Sequence, residues 1–316
     1  MLTLPDHEVI RQSAKRIKPF IHRTPVLTCQ TINDLCSSEV FFKCENFQKA
    51  GSFKSRGAAN AVLSLSETEA RMGVVTQSSG NHAAAIALAA KRRGIRAFIV
   101  MPSNAAKAKI SAVKTYGGEI HFCEPTISSR EELADQLVRE KGCPLIPPYN
   151  DYRIIAGQAT AALGLLEQVK NLDIIIAPVG GGGLLSGTAL TASSWSQKIK
   201  VFGAEPEGAD DAKRSFIAGK LIPQTAPNTI ADGLLTSLGS LTFPIIQKYV
   251  HDIELVSEDS IITTMRFVFE RLKIVIEPSS AVAVAPLIEQ RGKFEGKRIG
   301  VILSGGNIDL DQLPWM

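Results

Sequence analysis

Short, continuously apolar segments alternate with longer stretches rich in small residues along most of the chain. The apolar segments include "EVFFKCE", "GVVTQ", "AFIVMP", "DIIIAPV" and "RIGVILSGGN". A strand that is apolar on both faces is buried on both sides, as in a parallel sheet that is covered by helices. The alternation therefore predicts an α/β fold with two open, twisted, mainly parallel sheets and flanking helices. We expect residues 70–146 to form a small inserted domain, and residues 1–69 and 147–316 to form a large domain.

Composition excludes several classes of partner and compartment. The 316 residues carry a net charge of only +4, which argues against nucleic acid or an anionic membrane as the main partner. No window approaches the roughly 18 uninterrupted apolar residues of a membrane span, and the N-terminus mixes acids with bases, unlike a signal peptide. The five cysteines contain no CxxC pair. Scattered cysteines are typical of reduced thiols, so we expect a cytoplasmic protein.

A run of four glycines, "PVGGGGLLSG" at residues 178–187, lies between an apolar strand and a helix. Glycines at this place let backbone N–H groups converge on one anion at the positive end of the helix. A dinucleotide fingerprint would need a third glycine where the chain has Leu185. A single phosphate therefore fits this loop better than a pyrophosphate.

Two further loops follow strands and carry polar side chains. "QSSGNHAAA" at residues 77–85 offers Ser78, Ser79 and Asn81 at the start of a helix, and "LSGGN" begins at residue 303 with Ser304 next. The first set suits a carboxylate or a phenolate-like oxygen, although ordinary helix capping explains it equally well. Ser304 fits a turn residue as well as a ligand-binding one.

One lysine, Lys54 in "GSFKSRGAAN" at residues 51–60, stands between a glycine-serine turn and a helix rich in small residues. Alone, it would be read as a solvated side chain. A phosphate cradle, a presented amine and hydroxyl partners together match pyridoxal 5′-phosphate held as a Schiff base.

In order and spacing, "GSFKSRG", "SSGNHAAA", "GGGGLLSG" and "LSGGN" resemble the fold-type II pyridoxal-phosphate enzymes, whose fold is tryptophan-synthase-β-like. Within that group the chain is similar to the serine racemase and serine/threonine dehydratase family, from about residue 15 to the end. The resemblance implies that the large domain binds the cofactor, that the small domain is mobile and that the enzyme is a homodimer acting on a small amino acid.

The resemblance also assigns cofactor contacts. It makes Lys54 the Schiff-base lysine with Phe53 beside it, Asn81 the partner of the cofactor 3′ oxygen, and Ser304 the partner of the pyridine nitrogen. It implies that the cofactor phosphate binds to Gly180, Gly181, Gly182 and Gly183. Glu277 in "IEPSSAV" lies near the cofactor or is a buried structural acid. A serine stabilises a pyridinium less than a carboxylate does, which favours elimination over transamination.

Substrate and metal contacts are implied in the same way. The implied substrate-binding residues are Ser78, Ser79, Asn81, His82, Arg130 and Thr236, and Ser79 is also the implied proton donor for racemisation. Leu235 replaces a polar residue, which puts a nucleotide effector in doubt. "AEPEGADDA" at residues 204–212 resembles a Mg²⁺ or Ca²⁺ site with Glu205, the Ala209 carbonyl and Asp211 as ligands, or else it is a solvated acidic loop.

The expected reaction is dehydration of L-serine or L-threonine to a 2-oxo acid and ammonia. The alternatives are serine racemisation, 3-hydroxyaspartate dehydration and, from another class, a nicotinamide-dependent dehydrogenase. A non-catalytic ligand-binding module would have little use for Lys54. Nine residues follow Asn307, so we do not expect the C-terminal regulatory domain of biosynthetic threonine deaminases.

Overall fold

The computed structural model describes residues 3–78, 80–105 and 107–316, and these form two separate sheets with helices between and around them. The strands are β1 (Val26–Leu27), β2 (Glu39–Cys44), β3 (Val74–Gln77), β4 (Ala97–Pro102), β5 (Glu119–Cys123), β6 (Ile174–Pro178), β7 (Lys200–Pro206), β8 (Asp252–Val256) and β9 (Arg298–Leu303). The helices are α1 (His7–Ile17), α2 (Gln30–Cys36), α3 (Lys54–Leu63), α4 (Glu67–Met72), α5 (Asn81–Arg93), α6 (Lys107–Thr115), α7 (Ile127–Lys141), α8 (Tyr152–Gln168), α9 (Gly183–Trp195), α10 (Asp211–Ala218), α11 (Thr242–Tyr249), α12 (Glu258–Leu272), α13 (Pro278–Ala281) and α14 (Ala285–Glu289).

The larger sheet has six strands in the order β1-β2-β9-β6-β7-β8, and only β1 runs antiparallel to its neighbour. The smaller sheet has three parallel strands in the order β3-β4-β5. The prediction of two open, mainly parallel sheets with flanking helices is confirmed. The sequence reading did not predict β1 or β8, of which β1 is only two residues long.

Burial on both faces explains why the strands are continuously apolar. In β6, Ile174, Ile175 and Ile176 are at most 5% exposed, and they divide between the cores on the two sides of the sheet. Among the described residues, no helix is long and apolar enough to cross a membrane.

Glycines let α3, α8 and α9 pack unusually closely beneath the large sheet. A Cβ on Gly157 of α8 would lie 2.6 Å from the Cα of Gly57 in α3, and one on Gly187 of α9 would lie 2.6 Å from the nitrogen of Ala159 in α8. Because a larger residue would push these helices apart, the glycines allow α3 and α9 to pack directly against α8. Both helices begin at the functional loops.

The order of strands in the large sheet creates a crevice at the carboxyl ends of β6 and β9. The chain passes from β6 to β7 and β8 on one side, and β9 then returns to the other side of β6. The carboxyl ends of parallel strands that diverge in this way flank a crevice, which is the usual ligand site of an open α/β sheet. The glycine run follows β6, and Ser304 follows β9.

Candidate active site

Lys54 is the first residue of α3, and the turn after β9 holds that end of the helix. The N–H of Phe53 donates to the carbonyl of Ser304 at 2.9 Å, and the half-buried Lys54 donates through Nζ to the carbonyl of Pro148 at 2.9 Å. Burial lowers the pKa of Lys54 to about 8, although the charge of Glu277 acts in the opposite direction. A lowered pKa leaves more of the amine neutral, and therefore nucleophilic, at neutral pH.

A buried ion pair anchors the first turn of α3. Arg56 donates through Nε and Nη2 to the two carboxylate oxygens of Glu45 at 2.6 and 2.8 Å, and through Nη1 to the hydroxyl of Thr160 at 3.2 Å. Arg56 and Glu45 are 4% and 0% exposed. Such a two-point contact defines the direction of a side chain as well as its distance, so it fixes the backbone two residues beyond Lys54.

The glycine run forms a cradle of unpaired backbone donors. Gly180, Gly181 and Gly182 are buried, and their N–H groups donate to no atom of the described residues. Gly182 has a φ of +86° and precedes α9. Buried N–H groups nearly always have a partner, and these stand at the positive end of a helix. The cradle therefore fits an anionic group such as a phosphate.

Bulk around the cradle explains why the run consists of glycine. A Cβ on Gly180 would lie 2.9 Å from the Cα of Leu234, and one on Gly182 would lie 2.8 Å from the hydroxyl of Thr242. The Thr242 hydroxyl itself donates to the carbonyl of Gly181 at 2.8 Å. The loop thus packs tightly against Leu234 and Thr242, which leave no room for a side chain at Gly180 or Gly182.

Tyr149 is a residue of the site that the sequence reading missed. A Cβ on Gly181 would collide with the Tyr149 ring, and the Tyr149 hydroxyl hydrogen-bonds with Thr236. Burial raises the pKa of Tyr149, while its bond to Thr236 and the positive charge of Arg130 act in the opposite direction. The Nε atom of Arg130 is buried and has no hydrogen-bond partner in the described part of the chain. The only sequence signal was an aromatic residue in the loop "PPYND".

Asn81, Glu277 and Asn307 form a network that joins the two sheets. Asn81 begins α5 and donates through Nδ2 to both carboxylate oxygens of Glu277 at 3.0 Å, and its Oδ1 accepts from Nδ2 of Asn307 at 2.9 Å. Burial raises the pKa of Glu277 to about 7, against the effect of the Asn81 hydrogen bond. Asn307 closes the "LSGGN" motif, but the sequence reading gave it no role.

Ser304 is buried at the end of β9 and contacts a second serine. Its Oγ lies 3.1 Å from Oγ of Ser280, which is also buried. Ser280 belongs to "IEPSSAV", the stretch that contains Glu277, and no local pattern distinguishes it from Ser279.

The serine-rich loop before α5 is only partly described. The hydroxyl of Ser78 accepts from the N–H of Gly80 at 3.3 Å, and Ser79 lies outside the described residues. His82 is buried, with Nε2 lying 3.1 Å from the carbonyl of Ile146. Burial, followed by the charge of Lys54, lowers the pKa of His82 to about 3. The ring is therefore neutral and does not attract a carboxylate by charge.

The predicted metal residues lie together where β7 ends. Glu205 is buried and accepts from the N–H groups of Ala212 and Lys213, both at 2.9 Å. Asp211 accepts from the N–H of Leu238 at 3.3 Å through Oδ2, while its buried Oδ1 has no partner among the described residues. Ala209 is buried in the turn between them. An unpaired buried carboxylate oxygen fits a cation, although no cluster of three or more His, Cys, Asp or Glu side chains is found in the residues described.

Contacts connect these predicted residues. The N–H of Phe53 links Lys54 to Ser304, and Pro148 with its neighbour Tyr149 links Lys54 to the glycine cradle. Asn81 bonds directly to Glu277. Leu238 links the metal residues to the same site, because its N–H bonds to Asp211 and its side chain lies 2.9 Å from where a Cβ of Gly182 would be.

Comparison with known proteins gives a consistent result. Residues 17–305 match the family model described as "Pyridoxal-phosphate dependent enzyme". The chain is 51% identical to a serine racemase of Dictyostelium discoideum, over 99% of this chain and 97% of the relative. It is 49% identical to a beta-hydroxyaspartate dehydratase of Paracoccus denitrificans, over 99% of both chains. The solved structure of maize serine racemase superposes with a TM-score of 0.96 at 46% identity, covering 98% of this chain and 96% of that one.

Proposed function

This chain belongs to the pyridoxal-phosphate-dependent enzyme family, and on that premise we propose that it dehydrates L-serine- and L-threonine-type hydroxy amino acids to 2-oxo acids and ammonia. One observation carries the proposal. A half-buried lysine of lowered pKa, Lys54, is bonded to Pro148 beside Tyr149, whose ring packs against a cradle of unpaired N–H groups.

The cofactor-binding residues that the family resemblance assigns are compatible with this geometry. The N–H groups of Gly180, Gly181 and Gly182, with Gly183 at the start of α9, would hold the phosphate of pyridoxal phosphate. Phe53 and Lys54 would border the ring, and the Lys54 amine would bind it covalently. Asn81, which Glu277 orients, would bind the 3′ oxygen, and Ser304 would bind the ring nitrogen. When bound, the cofactor withdraws electrons from the substrate Cα, which makes the α-proton acidic.

Lys54 moves the α-proton. Burial lowers the pKa of Lys54 from 10.5 to about 8, so a much larger fraction of Nζ is unprotonated at neutral pH than in an ordinary lysine and can act as a general base. Glu277 is close enough to raise the pKa of Lys54 and has a pKa near 7 itself. The positive charge of protonated Lys54 and the negative charge of ionised Glu277 therefore compensate each other, so the net charge of the site stays small while the proton moves.

The substrate carboxylate is held by hydrogen bonds rather than by a cation. We assign it to the loop of Ser78, Ser79 and Asn81 at the positive end of α5. His82 contributes a neutral ring, because burial lowers its pKa to about 3. Thr236, which hydrogen-bonds with Tyr149, borders the substrate on the side of the cradle.

Two other activities of the same site have specific support. Serine racemisation is supported by the similarity to serine racemases and requires a proton donor opposite Lys54, which we assign to Ser79. Dehydration of 3-hydroxyaspartate is supported by the similarity to the Paracoccus enzyme. It is also supported by Arg130, whose buried Nε has no hydrogen-bond partner among the described residues and would bind a second substrate carboxylate.

A divalent cation completes the enzyme. We propose that Mg²⁺ or Ca²⁺ binds Glu205, the Ala209 carbonyl and Asp211, because Oδ1 of Asp211 is buried without a partner in the described part of the chain and the donors are the hard oxygens that both ions prefer. The cation would tie α10 to the loop that carries Leu238.

Domain motion, assembly and compartment are part of the same proposal. Residues 70–146 form the small mobile domain and carry the three-stranded sheet. They contact the large domain, built from residues 1–69 and 147–316, through Asn81–Glu277 and an ion pair between Lys109 and Asp232. We also propose a homodimer in the cytoplasm, where thiols such as the buried Cys44 and Cys143 stay reduced.

A substrate panel tests the function. Purified enzyme is incubated with the L- and D-forms of serine and threonine and with 3-hydroxyaspartate, and both 2-oxo acid and the opposite enantiomer are measured. The proposal expects 2-oxo acid from an L-hydroxy amino acid and a visible absorbance band that borohydride abolishes. A colourless protein that releases no 2-oxo acid from any of them would refute it.

A further inference from the structure

Two buried polar atoms, one in the small sheet and one in the helix that covers it, have no hydrogen-bond partner among the described residues. They are Oε1 of Gln77 and Nε of Arg130. Gln77 is the last residue of β3, and Arg130 lies in the first turn of α7. Because buried polar atoms nearly always have a partner, each atom marks a contact that a bound molecule can complete. The proposed function uses Arg130 but gives Gln77 no role.

The alternation of side chains along β3 places Gln77 on the face of the small sheet that α7 covers. Val75 belongs to the same apolar cluster as Ala134 and Leu137 of α7. Successive side chains of a strand point to opposite faces, so Gln77 lies on the same face as Val75. Because Gln77 ends the strand, it lies at the carboxyl edge of the sheet, directly before the serine-rich loop.

Helical spacing brings Arg130 to the same face and the same edge. Arg130 precedes Ala134 by four residues and Leu137 by seven, which is the spacing of residues on one side of a helix. The helix α7 follows β5, so its first turn lies near the carboxyl ends of the strands. Gln77 and Arg130 therefore share one corner of the small domain.

The charge of Arg130 acts on both sides of Gln77. Burial raises the pKa of Cys123, at the end of β5, and the charge of Arg130 opposes this rise. Burial also raises the pKa of Tyr149, and the charge of Arg130 is among the effects that oppose it. The segment before Tyr149 pairs with β3 through Leu145, on the edge that β4 does not occupy. Gln77, at the end of β3, therefore lies in the region that the Arg130 charge spans.

The two atoms without a partner are complementary. A glutamine carbonyl oxygen only accepts hydrogen bonds, and an arginine Nε only donates them. Because these two described atoms do not bond to each other, a molecule that satisfies both donates to Gln77 and accepts from Arg130. We assigned the substrate α-carboxylate to Ser78, Ser79 and Asn81, directly after Gln77. The groups that remain for Gln77 and Arg130 are then those on the substrate Cβ.

Gln77 and Arg130 suit two different groups on that carbon. A guanidinium binds a carboxylate at two points, and a buried donor that is left without an acceptor is costly. A hydroxyl that donates to Gln77 keeps its lone pairs free. The oxygen can then still accept the proton with which it leaves as water.

We infer that Gln77 is a specificity-determining residue that accepts a hydrogen bond from the β-hydroxyl of the substrate, while Arg130 binds a carboxylate on the same carbon. Together the two contacts select 3-hydroxy dicarboxylic amino acids over L-serine and L-threonine. The inference rests on the proposed function, because it needs the α-carboxylate in the serine-rich loop. It assigns the preference of the site to both residues and not to Arg130 alone.

Three amino acids separate the two contacts. L-serine carries only the β-hydroxyl, L-aspartate carries only the β-carboxylate, and 3-hydroxyaspartate carries both. With holoenzyme, kcat/KM is measured from 2-oxo acid formation for L-serine and for both L diastereomers of 3-hydroxyaspartate, of which the faster is used. L-aspartate has no hydroxyl to lose and is measured as an inhibitor of L-serine dehydration. The wild type should prefer 3-hydroxyaspartate to L-serine by at least about 10-fold, the effect of one hydrogen bond to a charged group.

Each substitution should affect two of the three amino acids most. Gln77→Ala should lower kcat/KM by about 3- to 10-fold for both hydroxy amino acids, with a smaller change in the Ki of L-aspartate. Arg130→Met should weaken 3-hydroxyaspartate and L-aspartate by at least about 10-fold, with a smaller change for L-serine. Thermal melting establishes that the variants are folded. If Gln77→Ala does not fold, Gln77→Met takes its place, because it has a similar length and no amide.

A change of charge at position 77 gives an independent result. Gln77→Glu keeps an oxygen that accepts, but its negative charge lies near Arg130 and repels a second substrate carboxylate. The preference for 3-hydroxyaspartate over L-serine should therefore fall by at least about 10-fold, whereas Gln77→Ala should retain most of it. Two exposed residues of α7, Gln136 and Arg139, provide the controls. Gln136→Ala and Arg139→Gln should leave all three amino acids at their wild-type values.

Three results would overturn the inference. They are a wild type that uses L-serine as well as 3-hydroxyaspartate, equal losses for all three amino acids in Gln77→Ala, and an unchanged preference in Gln77→Glu. A protein that binds no cofactor and releases no 2-oxo acid from any substrate would refute the proposed function itself. Dehydration of L-serine without these ligand-dependent effects would refute only the inference.

Discussion

Asn81 donates through its amide nitrogen to both carboxylate oxygens of Glu277, at 3.0 Å each. Asn81 begins the helix that follows β3 of the small sheet, while Glu277 precedes α13 beside the large sheet. The contact thus spans the crevice between the sheets, and it fixes the amide that we assign to the cofactor 3′ oxygen. It also brings a buried carboxyl close to Lys54.

Glu277 should make the cofactor-free protein less stable as the pH rises. Burial raises the pKa of Glu277 to about 7 in the folded chain, against about 4.3 when unfolded. Between these values the folded state holds the extra proton, so stability falls by about 3 kcal/mol as the pH rises from 4.3 to 7. Urea unfolding at pH 5 and 7.5 should show that Glu277→Gln lacks this loss.

The exposed acid Glu295 provides the control. Glu295→Gln should keep the pH dependence of the wild type, because it removes one carboxylate without touching the crevice. The same pH dependence in Glu277→Gln and in the wild type would mean that Glu277 is ionised at neutral pH in the folded protein.

Glu45→Gln should destabilise the protein strongly. It leaves Arg56 buried without its carboxylate partner, a change that costs about 3–5 kcal/mol. Burial would raise the pKa of Glu45, but the charge and hydrogen bonds of Arg56 lower it overall. Because the pKa of Glu45 is lower in the folded chain than in the unfolded chain, its carboxylate stabilises the fold above the unfolded pKa of about 4.3. This stabilisation is lost as the pH falls through the folded pKa. The stability gap between variant and wild type should therefore narrow below about pH 4.

Replacing both partners distinguishes a charge effect from lost packing. The double variant Glu45→Leu/Arg56→Met removes both charges of the ion pair and leaves only the neighbouring Lys43 buried without an acid, so its urea midpoint should lie closer to the wild type than that of Glu45→Gln. A single variant within 1 kcal/mol of the wild type would contradict the buried ion pair.

The cation site predicts a stability that depends on chelator. A cation at 100 times its Kd should add about 2.7 kcal/mol to the free energy of unfolding, so EDTA should lower the Tm and Mg²⁺ or Ca²⁺ should restore it. In Glu205→Ala, the Tm measured with EDTA and the Tm measured with Mg²⁺ or Ca²⁺ should be equal, even if both differ from the Tm of the wild type. Glu207→Gln, at an exposed neighbour, should keep it. A wild-type Tm that changes neither with EDTA nor with added cation would rule out the site.

Local patterns made the main chemistry predictable from sequence. The glycine run and Ser304 each follow an apolar strand, and Lys54 begins a helix, so their surroundings could be read from adjacent residues. The strand β8 could not, because "DIELV" contains two acids. One of them, Glu254, is buried at 4% exposure and pairs with Lys293 at 2.5 Å, a compensation that only the fold reveals.

Residues that act through distant contacts were missed for the same reason. Tyr149 matters because its ring packs on Gly181, and Ser280 because its hydroxyl meets Ser304. Neither contact follows from the local pattern. Ser279 and Ser280 are adjacent and chemically identical in the sequence, and only the direction of α13 separates the one that reaches Gly233 from the one that reaches Ser304.

Ser79→Ala should separate racemisation from dehydration. Racemisation needs a second proton donor opposite Lys54, whereas elimination of water from L-serine does not. A positioned acid contributes about 10²–10⁴-fold, so D-serine formation should fall by at least about 100-fold while L-serine dehydration falls by less than about 10-fold. Both products are measured in one reaction. Ser78→Ala, as the neighbouring control, should not split the two activities in this way.

Two results would count against this role of Ser79. Equal losses of racemisation and dehydration would mean that Ser79 only shapes the pocket. A wild-type enzyme that forms no D-serine would be a dehydratase alone, and Ser79 would have no racemisation to support.

The position of the cofactor on the chain tests the account most directly. Holoenzyme is reduced with borohydride and digested, and the peptide that carries the added mass is sequenced by mass spectrometry. We predict the label on Lys54 alone, and Lys54→Ala should be folded, unlabelled and without turnover, while Lys49→Ala is labelled like the wild type. A label on another lysine, or full turnover by Lys54→Ala, would contradict the account.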